Sequence, residues 1–321
     1  MKKTYIPVSR YARILLLSAL LFGGMTTPAF ANDKGAPYSM VRNPEIPRSM
    51  TFAGQKVDLD RIDMFERLDR ELTSMAYTHG NTLLVIKRAN RFFPLMAPIL
   101  KKNGVPSDML YLACIESTLD TRALSGAKAA GLWQFMPETG RQFGLEVNEF
   151  VDERYDPEKA TEAACRYLKQ AYSKYGNWES VAASYNGGMG RISSELSSQG
   201  VDTAYDLYLV NETNRYMFRL LAMKAIMEHP KNFGFTLSKH QLYQPVECEK
   251  VTVNTPVDDW SAWARKYGIT YMQLREFNPW IRSKKLPNKT GKSYVVRIPK
   301  QGDLYRSRLK YKTYNHDWVV D

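Results

Sequence analysis

Apolar residues return at helical intervals from residue 58 to about residue 226. At its start Ile62, Phe65, Leu68 and Leu72 form an apolar stripe, with Glu66 and Asp69 between them. The same spacing predicts helices over 82–92 and, opening on Pro94, over 94–102. Gly104-Val105-Pro106-Ser107 then breaks the chain, with Ser107 placed to cap a helix over 109–119. Further helices are expected over 137–143, 157–175, 178–185 and 211–227. Alternating stretches are scarce, so residues 58–242 read as an all-α domain. After Pro230 the period changes. Residues 249–254 alternate like a strand, 260–267 and 271–277 are short amphipathic helices, and 293–298 are β-branched. This gives a small βααβ module over 243–300. The chain is therefore mainly α, with two domains. Residues 32–57 carry Gly35, Pro37, Pro44, Pro47 and Gly54 without periodicity and read as an extended segment. Residues 301–321 are basic and aromatic and show no period.

The N-terminus adds a targeting signal. Lys2, Lys3, Arg10 and Arg13 precede the apolar run 14–22, and Ala29-Phe30-Ala31 follows. A positive start, a short apolar core and an A-x-A site predict a signal peptide over 1–31, cleaved after Ala31. The run is short for a membrane span, although a retained anchor is the alternative. No cysteine lies near its end, so no lipoprotein route is expected. Export to the periplasm or cell envelope follows.

The 321 residues carry a formal charge of +12, with 44% apolar and 24% charged residues. That composition excludes wholesale disorder and collagen-like repeats. The charge is uneven. The leader holds four basic and no acidic residues, residues 32–242 hold 26 and 25, and residues 243–321 hold 15 and 8. The excess thus sits in the leader and the last quarter. In the last quarter it is either an attraction toward membrane or anionic wall polymers, or a solvated face. Nucleic acid is not an expected partner, because the chain is exported and has no nucleic-acid-binding motif. Cys114, Cys165 and Cys248 match no zinc or redox spacing. Cys114 and Cys165 read as core residues, with a disulfide between them left open. The four histidines form no H-E-x-x-H, so neither a metal nor a cofactor is expected.

Candidate chemistry centres on Glu116. Its helix, Met109-Leu-Tyr-Leu-Ala-Cys-Ile-Glu-Ser-Thr-Leu119, is otherwise apolar. Desolvation raises a carboxyl pKa and suits the group to general acid work. Taken alone, the residue also fits a solvated helix end or an ion pair with Arg122. Three later motifs alter that balance. The first is Ser125-Gly-Ala-Lys-Ala-Ala-Gly131-Leu-Trp-Gln134. The second is Ala183-Ser-Tyr185-Asn186-Gly187-Gly188, and the third is Glu212-Thr213-Asn-Arg-Tyr216. In this order and spacing, over roughly residues 85–230, the chain resembles the lytic transglycosylases of goose-lysozyme-like fold. These are glycoside hydrolase family 23, and the closest likeness is to the membrane-bound D type. Ser184 departs from the family pattern, where Ala usually precedes Tyr-Asn.

The resemblance implies a lysozyme-like helical catalytic domain. It makes Glu116 the single catalytic acid and base. It places Ser117, Ser125, Gln134, Tyr185 and Asn186 along the substrate, and Tyr216 on the Glu116 carboxyl. It implies cleavage of the β-1,4 bond between N-acetylmuramic acid and N-acetylglucosamine, leaving 1,6-anhydro ends. Peptidoglycan glycan strands are the implied partner, and a monomer is expected. Ordinary glycosidases pair two carboxyl groups. Asp120, Glu138 and Glu212 are the candidates for a second one. The rival readings are a lysozyme-type hydrolase and a non-catalytic peptidoglycan-binding protein. Gly131, Gly187 and Gly188 read as backbone necessities.

The segment Trp260-Ser-Ala-Trp263-Ala264-Arg-Lys-Tyr267-Gly268-Ile269, followed by Leu274, Asn278 and the strand to Ile298, resembles a LysM module. Thr255-Pro256-Val257-Asp258-Asp259 stands where such modules carry Gly-Asp-Thr. Glycan binding and a packing-only role both stay open. A module that binds on its own charge would be separable: deleting 243–321 should weaken wall binding and spare the chemistry.

Overall fold

The structure is a computed structural model that describes residues 43–320, so the expected signal peptide and residues 32–42 lie outside the described part. A short hairpin opens it, β1 (Met50–Phe52) against β2 (Gln55–Val57). Met50, Phe52 and Val57 are buried in the main core. The described part of the segment expected to be merely extended is thus a folded hairpin. Asp108 holds it by accepting from Ala53 N at 2.8 Å.

Eight helices follow: α1 (Ile62–Tyr77), α2 (His79–Lys102), α3 (Leu110–Ser117), α4 (Pro137–Gln142), α5 (Pro157–Tyr175), α6 (Trp178–Gly187), α7 (Met189–Gln199) and α8 (Asn211–Glu228). The two helices predicted around Pro94 are one. Val85, Ile86, Ala89, Phe93, Met96 and Leu100 form an unbroken buried stripe through α2. That packing outweighs the hydrogen bonds lost at Pro94 and Pro98. Ser107 does not cap α3. It opens a 3-10 turn, and no side chain caps the helix start. Helix α7 escaped the sequence reading because it is rich in serine and buries only Ile192. Helix α8 is buried on nearly all sides over 216–227 and forms the axis of the domain. Its Lys224 lies buried and pairs with Asp108 at 3.2 Å, which links α8 to the hairpin's anchor.

In the module, β3 (Cys248–Val253) and β4 (Tyr294–Pro299) pair antiparallel, from Cys248 opposite Pro299 to Val253 opposite Tyr294. Helices α9 (Trp260–Lys266) and α10 (Tyr271–Phe277) lie between them in sequence, as expected. Asp259 and Thr270 cap their starts. Trp260, Ala264, Leu274, Trp280, Ile281 and Val296 fill the module core.

The module is not a bead on a string. Val151, from the connection between α4 and α5, is 1% exposed and belongs to the module's core. Around it, Asp152 N donates to Trp280 O at 2.9 Å and Arg282 N donates to Phe150 O at 2.8 Å. Arg297 grips the buried Asp156 with two hydrogen bonds, at 2.9 and 3.1 Å. This charge pair holds the Asp156 carboxyl below its usual range despite burial. Residues 301–320 turn back onto the helical domain. Trp318 is buried, packs edge-on against Phe93 with centroids 5.9 Å apart, and donates to Met227 O at 2.6 Å. Asn90 of α2 accepts from Tyr314 N at 2.8 Å. The three cysteines are free thiols, so Cys114 and Cys165 are not bridged.

Candidate active site

Helix α3 ends one residue after Glu116. Thr118 and Leu119 both take positive φ, 51° and 54°, a conformation that non-glycine residues seldom adopt twice in succession. Arg88 of α2 holds this corner. It donates to Thr118 O at 3.0 Å, to Thr118 Oγ1 at 3.1 Å and to Asp120 Oδ2 at 3.3 Å. The corner leaves Glu116 on the final turn of a helix whose other side chains are largely apolar.

The carboxylate meets α8. Tyr216 Oη donates to Glu116 Oε1 at 2.6 Å. Burial pushes the Glu116 carboxyl up to about 7. The Tyr216 bond opposes that rise, nearby Glu212 adds to it, and Arg219 opposes it. Tyr216 is itself raised well above its usual value, first by burial and then by the adjacent carboxylate. The ion pair between Glu116 and Arg122 that the sequence left open is not made; Arg122 reaches Glu276 at 3.5 Å instead. Of the candidate second carboxylates, Asp120 is held by Arg88 and accepts from Arg122 N, and Glu138 is exposed and pairs with Arg141. Glu212, in the first turn of α8, acts on Glu116 through its charge.

After the corner runs the loop 120–136, tied back to α3 through Ser117. Gly131 has φ +76°, and a Cβ there would sit 1.9 Å from Arg154 O, so no side chain fits. Ser125 Oγ accepts from Ala129 N at 3.0 Å. Gln134 takes φ +48°, and its amide donates to Gly131 O at 2.9 Å and Ala123 O at 3.3 Å. Ser117 turns inward: it is buried, and its hydroxyl bonds to Ala113 O at 3.0 Å and Leu132 O at 2.9 Å. It ties the loop to α3, where the resemblance had put it against the substrate. Tyr185 Oη donates to Trp133 O at 2.7 Å, and its ring meets those of Trp133, Phe135 and Tyr167. Asn186, one residue on, is exposed. The structure therefore brings Glu116, Tyr216 and Tyr185 into one electrostatic neighbourhood.

Arg154 braces the loop from beneath, and the sequence reading missed it. Buried and paired with Asp152 at 2.7 Å, it donates to Lys128 O at 2.7 Å and Phe135 O at 2.8 Å. An arginine in a charged surface-like run, Asp152-Glu-Arg-Tyr-Asp156, carries no pattern that marks it as internal.

The family comparison agrees with this architecture. Residues 95–207 match the transglycosylase SLT domain, and residues 249–302 match the soluble lytic transglycosylase C-terminal LysM-like domain. The first match falls on the helical part of the chain and the second on the βααβ module. The chain is similar to the membrane-bound lytic murein transglycosylase D of Escherichia coli (strain K12), with 30% identity over 258 residues. That match covers 76% of this chain and 53% of the relative, so the chain spans about half the relative's length. Among solved structures it is similar to the 70-kDa soluble lytic transglycosylase of Escherichia coli. The identity is 21%, with 50% of this chain and 30% of that one covered, at a TM-score of 0.39. A lytic transglycosylase Slt of Pseudomonas aeruginosa matches at 23% identity, with 44% and 24% covered and a TM-score of 0.34.

Proposed function

We propose that this chain is a peptidoglycan lytic transglycosylase for cell-wall remodelling or turnover. It cleaves the β-1,4 bond between N-acetylmuramic acid and N-acetylglucosamine. The observation that carries this reading is a single carboxyl group, Glu116, raised to about 7 by burial and clasped by Tyr216. A carboxyl titrating there is about half protonated at neutral pH, so it gives and takes a proton with equal ease. Protonated Glu116 donates to the glycosidic oxygen as the bond breaks. The N-acetyl carbonyl of the muramic acid supports the cationic sugar. The C6 hydroxyl then attacks C1 and returns its proton to Glu116. No water is consumed, which suits a site whose other candidate carboxylates Asp120 and Glu138 are paired elsewhere. Ser125, Gln134, Tyr185 and Asn186 line the glycan, Ser117 acts by holding the loop, and Tyr216 positions the acid.

The chain is exported, processed after Ala31 and held in the cell envelope as a monomer. The LysM-like domain contacts glycan strands, and its basic surface meets membrane or anionic wall polymers. Mass spectrometry of products from purified sacculi tests the chemistry. Wild type should release 1,6-anhydro ends, one water lighter than hydrolysed ends, and Glu116→Gln should release none. Hydrolysed ends from wild type would assign the lysozyme-type reaction instead.

A further inference from the structure

Where the corner after α3 meets α10 of the LysM-like domain, the chain forms a half-open cavity of about 340 Å³. The helical domain contributes Arg122, six residues beyond Glu116. The module contributes Tyr271, Met272, Arg275, Glu276 and Arg282. Three guanidinium groups thus line the cavity beside one carboxylate, and that carboxylate is taken, because Glu276 pairs with Arg122 at 3.5 Å. Arg275 and Arg282 make no ion pair among the described residues. Arg275 spends one N–H on Tyr271 Oη at 2.8 Å, and its Nε is buried without a hydrogen-bond partner. Arg282 donates to Pro279 O at 3.3 Å and stacks over Tyr155 with its carbon 4.2 Å from the ring centroid. Arg275 is held through Tyr271 and Arg282 through Pro279 and Tyr155, and each keeps donors that no protein group takes. Met272, 68% exposed, adds an apolar wall.

Planar guanidinium forks match carboxylates with two parallel hydrogen bonds, which a neutral sugar does not offer. Two unpaired, pre-oriented arginines beside an apolar wall fit a short carboxylate-bearing chain. The cavity also lies at a fixed separation from Glu116. The Asp156–Arg297 pair and the bonds around Val151 seat the module on the domain that carries the acid. We propose that this cavity binds the carboxylates of the peptide stems borne by the glycan while the strand lies at Glu116. The inference rests on the peptidoglycan reading above. It gives the LysM-like domain a role in choosing substrate, beyond holding glycan.

The test compares kcat/KM of the full chain on glycan strands that carry stems and on strands stripped of them by an amidase. Wild type should prefer stem-bearing strands. The double variant Arg275→Gln/Arg282→Gln should lose roughly tenfold on those strands, the scale of a lost charge-assisted contact, and keep its rate on stripped ones. A free stem tetrapeptide should compete with stem-bearing strands for wild type, and a polysulfate at equal charge should not. Equal competition by the polysulfate would overturn the proposal in favour of a generic anion site. It is also overturned if wild type is active but indifferent to stems, or if the variant loses both rates alike. A wild type inactive on both strands would instead overturn the transglycosylase reading itself.

Discussion

The hydroxyl of Tyr216 ends 2.6 Å from the carboxylate of Glu116, although 100 residues separate them in the chain. The bond joins the axial helix α8 to the last turn of α3. It is directional chemistry as well as packing, because it favours the ionised form of the acid while burial favours the neutral one. The site therefore sets the acid's proton affinity by a balance, and each weight can be removed separately.

The two removals should act in opposite directions. Tyr216→Phe takes away a contact that lowers the Glu116 pKa, so the alkaline limb of the kcat/KM profile should move to higher pH. Glu212→Gln takes away a charge that raises it, so the limb should move to lower pH. Tyr216→Phe should also slow turnover roughly tenfold, because the carboxyl is no longer held in place. Limbs that move together, or not at all, would show that Glu116 is not the group being titrated.

Stability should report the same acid. The folded carboxyl titrates at about 7 and its ordinary value is 4.5. Between those values the folded chain keeps a proton that the unfolded chain has released. Stability from this group is therefore full below about pH 4.5, falls as pH rises toward 7, and is flat beyond. Glu116→Gln has no such dependence. At pH 8 it should be more stable than wild type by about 3 kcal/mol, with the difference gone at pH 4, as read by denaturant melts.

Gly131→Ala should be severe. Its positive φ already disfavours a side chain, and the added carbon would meet the Arg154 carbonyl at 1.9 Å. Relief would require moving the backbone that supports Gln134. We expect a loss of more than about 3 kcal/mol in thermal or urea unfolding and the disappearance of activity. Gly188→Ala is the control: it also has positive φ, but its Cβ would meet nothing within 4 Å, so a much smaller loss is expected.

Trp318→Ala should cost about 3–5 kcal/mol by emptying a pocket against Phe93 and freeing the Met227 carbonyl. This corrects the expectation that residues 243–321 can be deleted without harm to the chemistry. The deletion strips Val151 of its surroundings, leaves Asp156 without Arg297, and removes Trp318 from the helical core. Purified 1–242 should be poorly folded by circular dichroism, whatever it does to wall binding.

Much of the site was legible in the sequence because its parts are local. Glu116 stands out as the one charge in an apolar helix, and the glycine and aromatic runs around Gln134 and Tyr185 are dense enough to resemble a family. The two domains were legible because helical and alternating periods do not mix. What escaped notice is non-local. Ser117 looks like a surface polar residue until the Leu132 carbonyl arrives to accept a hydrogen bond from it. Arg154 and Asp156 sit in a run of charges whose burial depends on partners far away in the chain. The tail resists reading because Trp318 and Tyr314 have no periodic neighbours of their own; their neighbours are on α2.

That return of the tail bears on the order of events during folding. Asn90 and Tyr314 are bonded across 224 residues, and contacts of such separation close slowly, after local ones. Helix α2, which also carries the arginine that holds the corner after Glu116, waits for this distant strap before one of its faces is covered. The acid can be in place early, but the scaffold around it is completed by the part of the chain that has the farthest to travel.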